Sequence, residues 1–267
     1  MRTSLVVTTY NRKDALALVL ESATRQRVRP EELVVADDGS RPDTAELVAT
    51  YRARAPFPVR HCWQEDLGFR AAASRNRAFA STSGDYLIMV DGDIVLHPRF
   101  VEDHLRAARP GRFVQGSRVL LSAEATERAL SSGRLAFGPL SAGLKNRLNA
   151  IRSLGLSRVA SRRGRDVFRV RSANLALWRS DLLRVNGFDE DFVGWGREDS
   201  EFVARLQHAG VVRLHLKFAA IGYHLWHPEA SRELLPRNEQ ILAETLATGR
   251  VRCQNGIDKH LAAAAGR

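Results

Sequence analysis

Cysteine is almost missing from the 267 residues: Cys62 and Cys253 stand far apart, and neither belongs to a C-x-x-C pair. That excludes a disulfide framework and a zinc knuckle, and it points to a reducing compartment. No apolar run approaches the roughly 18 residues needed to span a bilayer. Met1 is followed almost at once by the strand pattern Leu5-Val-Val7, which leaves no room for the n- and h-regions of a secretory signal. The expectation is a cytoplasmic chain, at most peripheral on the inner face of a membrane. Glycine cradles for phosphate are missing as well, because no G-x-G-x-x-G follows an apolar strand pattern and there is no Walker A sequence. A nucleotide bound here must have its phosphates neutralised by a metal and by basic side chains. Low-complexity tracts are also absent, and 44% hydrophobic residues can bury a core. The length suits one large α/β domain, or one domain with an appendage.

Acid is in deficit, with 30 Asp and Glu against 41 Lys and Arg, giving a net charge of +11. The excess is concentrated. From Arg134 to Arg171 ten basic residues face one acid, Asp166, so this basic insertion (134–171) carries +9 and the remainder is near neutral. Such a patch implies an anionic partner, whether lipid headgroup, nucleic acid or acidic glycan. Within Leu140 to Val159, Leu144, Leu148, Ile151, Leu154 and Leu156 alternate with Lys145, Arg147, Arg152 and Arg158. The pattern predicts a short basic amphipathic helix, either resting on an anionic membrane or packed on the domain with a solvated basic face. Nucleic acid is the less expected partner: Phe137 and Phe168 are the only interleaved aromatics, and no helix-turn-helix or RNP pattern appears.

What is present begins with alternating strands and helices. Thr3–Thr9, Glu32–Ala36, Val59–Trp63 and Tyr86–Val90 read as strands, and Asp14 (as cap) to Thr24, Thr44–Arg54 and Gly68–Thr82 as helices. These are βαβ units of a mostly parallel sheet. Further on, Phe100–Ala108 and Ala123–Ser131 read as helices, Arg112–Leu121 and Val211–Phe218 as strands, and the tail from about Arg237 as helical, frayed from His260 to Arg267.

The central apolar strand ends in Asp91-Gly92-Asp93. Ligands of open α/β sheets bind beyond the carboxyl ends of strands, so these carboxylates belong in a crevice. Hard divalent cations prefer carboxylate oxygen and share it with diphosphates, and Gly92 leaves the approach open. The triplet alone also fits an Asp-Gly turn with both carboxylates solvated. It resembles an aspartyl-phosphatase nucleophile motif too, but that motif follows a first strand, and here three strands precede it. Thr8-Thr-Tyr10-Asn11 and Asp37-Asp38 end neighbouring strands, so all three loops converge on one crevice.

A second polar cluster runs from Phe188 to Glu201, with Trp195 between Gly194 and Gly196 and with Glu198 and Asp199 opening a helix. The glycines free the indole to stack on a sugar, and carboxylates near a helix N-terminus are favoured by its dipole. Downstream, His224 and His227 stand at i and i+3 after an apolar strand pattern, and imidazole suits Mn²⁺ better than Mg²⁺.

Taken together, Leu5-Val-Val-Thr-Thr-Tyr-Asn-Arg12, Val34-Val-Ala-Asp-Asp-Gly-Ser40, Gln64-Glu-Asp-Leu-Gly-Phe-Arg70, Ser74-Arg-Asn76, Val90-Asp-Gly-Asp93 and Gly194-Trp-Gly-Arg-Glu-Asp199 resemble the inverting family 2 glycosyltransferases. The resemblance is to the chondroitin-polymerase-like branch, whose terminal segment is similar to that of galactosyltransferases. It implies an α/β fold of GT-A type, a single domain with a mixed, mostly parallel sheet and helices on both faces. It divides the chain into a nucleotide-sugar-binding half (1–110), an acceptor-binding and catalytic half (111–235) and a helical tail (236–267). It implies a UDP-sugar donor, a glycan or lipid-linked glycan acceptor, and Mn²⁺ or Mg²⁺ as cofactor. On this resemblance Thr8, Tyr10, Asn11 and Arg12 meet the base, and Asp38 holds the uridine. Asp66, Gly68, Arg75 and Asn76 lie along the donor. Asp91 and Gly92 meet the ribose or sugar, and Asp93 binds the metal with His224 or His227. Asp199 is the base, with Glu198 beside it and Trp195 and Gly196 at the sugar. The segment Gly133 to Arg171 has no counterpart.

Overall fold

The computed structural model describes residues 1–168, 170–228 and 231–265. In chain order, β1 (Thr3–Thr9), α1 (Lys13–Thr24), β2 (Glu32–Asp37), α2 (Pro42–Arg54), β3 (Val59–Trp63), α3 (Ala71–Ser81) and β4 (Tyr86–Asp91) alternate as the apolar runs predict. Then come β5 (Ile94–Leu96), α4 (Phe100–Ala107), β6 (Arg112–Gln115), β7 (Ser117–Leu121), α5 (Ala123–Ser132), β8 (Leu144–Lys145), α6 (Leu154–Ala160) and β9 (Arg162–Gly164). The chain continues through β10 (Asn174–Trp178), α7 (Arg179–Arg184), α8 (Glu198–His208), β11 (Val212–His215), β12 (Ile221–His224), α9 (Leu235–Thr248) and α10 (Asp258–Ala265).

An eight-stranded sheet has the order β3-β2-β1-β4-β10-β6-β11-β9. Strands β1 to β4 are mutually parallel, whereas β10 runs antiparallel to β4 and β6, so the sheet is mixed and mostly parallel. Alternation along each strand explains why both faces are covered. Leu5 and Val7 pack with α1, α2 and α4 on one side, and Val6 joins Phe79 of α3 and Phe202 of α8 on the other. At roughly 1.5–3 kcal/mol per fully buried large apolar side chain, neither face can be left to water. A smaller sheet, β5-β12-β7-β8, packs its apolar side against α1 and α5.

Several expectations are corrected. The run Arg112–Leu121 is two strands in two sheets, divided at Gly116, where a Cβ would stand 2.5 Å from the Asn174 amide. Asn174 fills that space and bonds Ser117 O and Ala220 O, stitching the sheets together. The expected basic helix within Leu140–Val159 does not form. It is β8, a 3-10 turn over Arg147–Ala150 and the short α6, broken where Asn146 turns left-handed (φ 56°) and restarted by a Ser153 cap. Residues 211–218 give only the short β11, and Phe218 beyond it is left-handed (φ 56°). Asp14 does not cap α1; it lies in the first turn and Arg12 occupies the cap position. The tail is two helices rather than one, and the end expected to fray extends past the last described residue. Arg169 of the basic segment is also outside the described residues.

Candidate active site

Register brings the site together. Thr8 of β1 pairs with Ala36 of β2 and Asp91 of β4, so three strands end at one level beneath a cavity of about 880 Å³. Thr8, Tyr10, Arg12, Asp38, Arg75, Asp91, Gly92 and Asp93 line it from one half of the chain, and Trp195, Gly196, Glu198, Asp199, His224 and His227 from the other. Gly92 allows this convergence: its N–H donates to Thr8 O at 2.6 Å, and a Cβ there would stand 2.9 Å from that oxygen.

Four expected donor residues do not line the cavity. Asn76 is buried and its amide is spent bracing α3 against the following segment, donating to Phe188 O (2.7 Å) and Glu190 Oε1 (2.9 Å) and accepting from Phe188 N–H (2.8 Å). Asn11, left-handed at φ 47°, accepts from Arg41 N–H while its own N–H donates to Ser40 Oγ. Asp66 accepts from Tyr10 Oη at 2.9 Å and from Gly68 N–H at 3.2 Å, a turn closed by Gly68 at φ +84°. These three tie the rim of the cavity together. Asp38 lines the wall, but its two oxygens accept from Gln64 Nε2 (2.6 Å) and Arg70 N–H (2.8 Å), fixing the entry to α3.

At the metal-type end, Asp93 lies 3.7 Å from His224 Nε2 and 3.3 Å from His227 Nε2, with Arg12 Nη1 at 3.4 Å. One ligand atom from each of Asp93, His224 and His227 falls within 4.8 Å of the others. Asp93 Oδ1 is buried without a hydrogen-bond partner, an expensive state that a cation would relieve. Burial, with Arg118 and His227 adding to it, pushes His224 down to about 4, so its imidazole is neutral and in the ligating form. His227 Nδ1 sits 2.7 Å from Pro228 O, which orients Nε2 toward Asp93. The residues therefore fit a divalent cation, and both histidines, not one, converge on the aspartate.

At the other end Arg75, buried on α3, gathers the carboxylates. It reaches Asp91 at 3.3 Å, Glu198 at 3.4 Å and Asp199 at 3.6 Å, and its Nε donates to Thr8 Oγ1 at 3.3 Å. Burial works against its charge, and Asp199, Asp91 and Glu198 more than offset that. Burial, with Asp199 beside it, pushes Glu198 up to about 7. Asp199 takes the Ser172 N–H on Oδ2 at 2.9 Å and leaves a buried Oδ1 without a hydrogen-bond partner at the cavity. The backbone that presents Trp195 is left-handed at Gly194, Gly196 and Arg197 (φ 76°, 107° and 73°), and Arg232 stacks 5.1 Å from the indole. Sequence reading missed Arg118, Lys145 and Arg171 in the lining.

The family model described as "Glycosyl transferase family 2" matches residues 4–169. The chain belongs to glycosyltransferase family 2. A second model, "N-terminal domain of galactosyltransferase", matches residues 163–228, so Asp93 falls in one match and Asp199, His224 and His227 in the other. The chain is 32% identical over 222 residues to validoxylamine A glucosyltransferase of Streptomyces hygroscopicus subsp. limoneus, covering 78% of this chain and 48% of that protein. It is 27% identical to the hyaluronan synthase of Pasteurella multocida (78% and 23% covered) and 25% identical to the chondroitin synthase of Escherichia coli (86% and 35%). The chain thus spans about half or less of the length of these relatives. Among solved structures, S. aureus TarS 1-349 superposes with a TM-score of 0.58 at 19% identity, covering 99% of this chain and 71% of that one. A mannosyltransferase from Pyrobaculum calidifontis, in complex with GDP-Man and Mn²⁺, gives 0.58 at 17% identity, covering 99% and 75%. These likenesses bear out the expected GT-A-type fold.

Proposed function

We propose that this glycosyltransferase moves a sugar from a UDP-sugar to a glycan or lipid-linked glycan acceptor by a single displacement with inversion, in the presence of a divalent cation, Mn²⁺ preferred. The observation that carries this is one cavity lined both by Asp93, His224 and His227 and by Asp199, whose buried Oδ1 has no hydrogen-bond partner. Residues 1–110 supply the donor wall and residues 111–235 the acceptor side and base. The names of the relatives, a glucosyltransferase and two glycan synthases, support the reading.

Asp93, His224 and His227 would hold the cation, which when bound supplies Lewis-acid stabilisation of the departing diphosphate. Asp199 Oδ1 accepts the proton of the attacking acceptor hydroxyl, and the Ser172 N–H on Oδ2 keeps the carboxylate aimed. Arg75 bridges Asp91 and Asp199 and pins them to β1 through Thr8. Trp195 offers a half-exposed indole face to a sugar ring. No side chain needs to form a covalent bond, so inversion follows. Among the described residues no helix is long and apolar enough to cross a membrane. In this reading the enzyme is cytoplasmic, and the exposed Leu148 and Val159 among Arg147, Arg158 and Arg162 rest on the inner membrane face. The test is a panel of UDP-sugars and GDP-mannose with Mn²⁺, read as nucleotide release. Release from a UDP-sugar alone is expected; release from GDP-mannose alone would refute the donor assignment.

A further inference from the structure

A second cavity of about 300 Å³ adjoins the first, and the two share Arg118, Arg171 and Ala173 in their walls. That volume is at the lower end of the roughly 300–1,000 Å³ range of small-molecule sites. The two cavities differ in composition, because the larger mixes carboxylates with basic side chains and the smaller has basic side chains without carboxylates. The larger is lined by Asp38, Asp91, Asp93, Glu198 and Asp199. The smaller has no carboxylate in its wall and carries Arg118, Arg171, Lys217 and His215, with the amides of Asn146 and Asn149 beside them.

These cations are not structural ion pairs. Among the described residues no carboxylate lies at salt-bridge distance from Arg118, Arg171 or Lys217, although other arginines of the same region are paired, as Arg152 is with Asp103 at 2.6 Å. Arg118 is half-buried on β7, and burial together with Arg171 pushes its pKa down. Asp91, Asp93 and Asp199 act on Arg118 only from beyond ion-pair distance, so two crowded guanidinium groups still pay desolvation and repulsion that an entering anion would offset. A donor diphosphate does not account for the cluster, because Lys217 and His215 line only the smaller cavity. Position ties it to the acceptor instead. The N–H that holds Asp199 belongs to Ser172, and its neighbours Arg171 and Ala173 wall the smaller cavity. A hydroxyl at Asp199 therefore stands next to the basic chamber.

We propose that this chamber is an anion subsite of the acceptor, taking a carboxylate or phosphate group on or next to the sugar that receives the transferred residue. Naming the ligand an acceptor rests on the transferase reading above; the binding of an anion does not. The guanidinium forks of Arg118 and Arg171 suit the planar or tetrahedral oxygens of such groups, and Lys217 adds a point charge.

The test is calorimetric titration of the whole chain, first with UDP and Mn²⁺ to fill the donor site, then with glucose, glucuronate or glucose 6-phosphate. The first titration reports the donor reading by itself, and the second reports the chamber whether or not UDP binds. Expected are saturable binding of at least one anionic sugar, none of glucose over the same range, and about tenfold weaker anion affinity in Arg171→Gln and in Lys217→Gln. Glucuronate alone would identify an acidic sugar as the acceptor group, and glucose 6-phosphate alone a phosphorylated one. Equal binding of glucose, no binding of either anion, or wild-type affinity in both folded variants would overturn the proposal.

Discussion

Replacing Asp199 with asparagine separates chemistry from architecture. The Ser172 N–H needs an oxygen at the Oδ2 position, 2.9 Å away, so the new amide must place its carbonyl there and its NH₂ where Oδ1 was. That NH₂ keeps the shape of the carboxylate but cannot take a proton. It also faces Arg75 Nη1, 3.6 Å from the original Oδ1, so one attractive contact becomes a donor facing a donor. Loss of a positioned general base costs about 10²–10⁴ in rate, which is roughly 3–5 kcal/mol of transition-state stabilisation. Asp93, His224 and His227 are untouched, so UDP affinity with Mn²⁺ should change by less than about twofold. The assay is single-turnover transfer to acceptor at saturating donor, with UDP binding measured in parallel. A wild-type turnover rate in Asp199→Asn would refute the assignment, and Glu198 would then be the base to test.

Glu198 gives a different signature. Burial and Asp199 raise it from 4.5 to about 7, so its ionisation is disfavoured in the folded state. Stability linked to this group is full below about pH 4.5 and is lost progressively as pH rises to 7, a loss of about 3 kcal/mol. Glu198→Gln should flatten the denaturant midpoint over that window in metal-free protein; a slope as steep as the wild type's would contradict this. Exposed Leu148 and Val159 among the arginines predict co-sedimentation with anionic vesicles that weakens as salt rises, since screening acts within about 10 Å at 0.1 M. Equal pelleting with neutral vesicles, or none with either, would return this surface to water.

The alternating strands and helices of the first 110 residues were legible because their signals are local. Val6 and Val7 point to opposite faces yet both are apolar, which only a strand covered on both sides requires, and the polar residues follow directly at the strand ends. Trp195 and Asp199 were legible from the composition of their segment, which is hard to place in a core, and the histidine pair from its i and i+3 spacing after a strand. Contacts between distant segments were not. Asn76 looked like a donor ligand because nothing in sequence shows that Phe188 will present its backbone to it. The break at Gly116 depends on Asn174, far along the chain, filling the space a Cβ would occupy. Arg118 lies on β7 and Arg171 in the loop before β10, and they meet only when the two sheets are joined, so no spacing rule pairs them. The Leu/Arg alternation after Leu140 mimicked an amphipathic helix, but the left-handed Asn146 and the Ser153 cap divide it.

The central claim is that Asp93, with His224 and His227, holds a cation through which UDP is bound. Calorimetry of UDP with Mn²⁺, with Mg²⁺ and with chelator, on the wild type and Asp93→Ala, tests it most directly. Removing the buried carboxylate takes away the only anionic ligand of the three. The account predicts metal-dependent UDP binding to the wild type, tighter with Mn²⁺, and its loss in a folded Asp93→Ala. UDP binding of equal affinity with and without metal, or unchanged in Asp93→Ala, would contradict it.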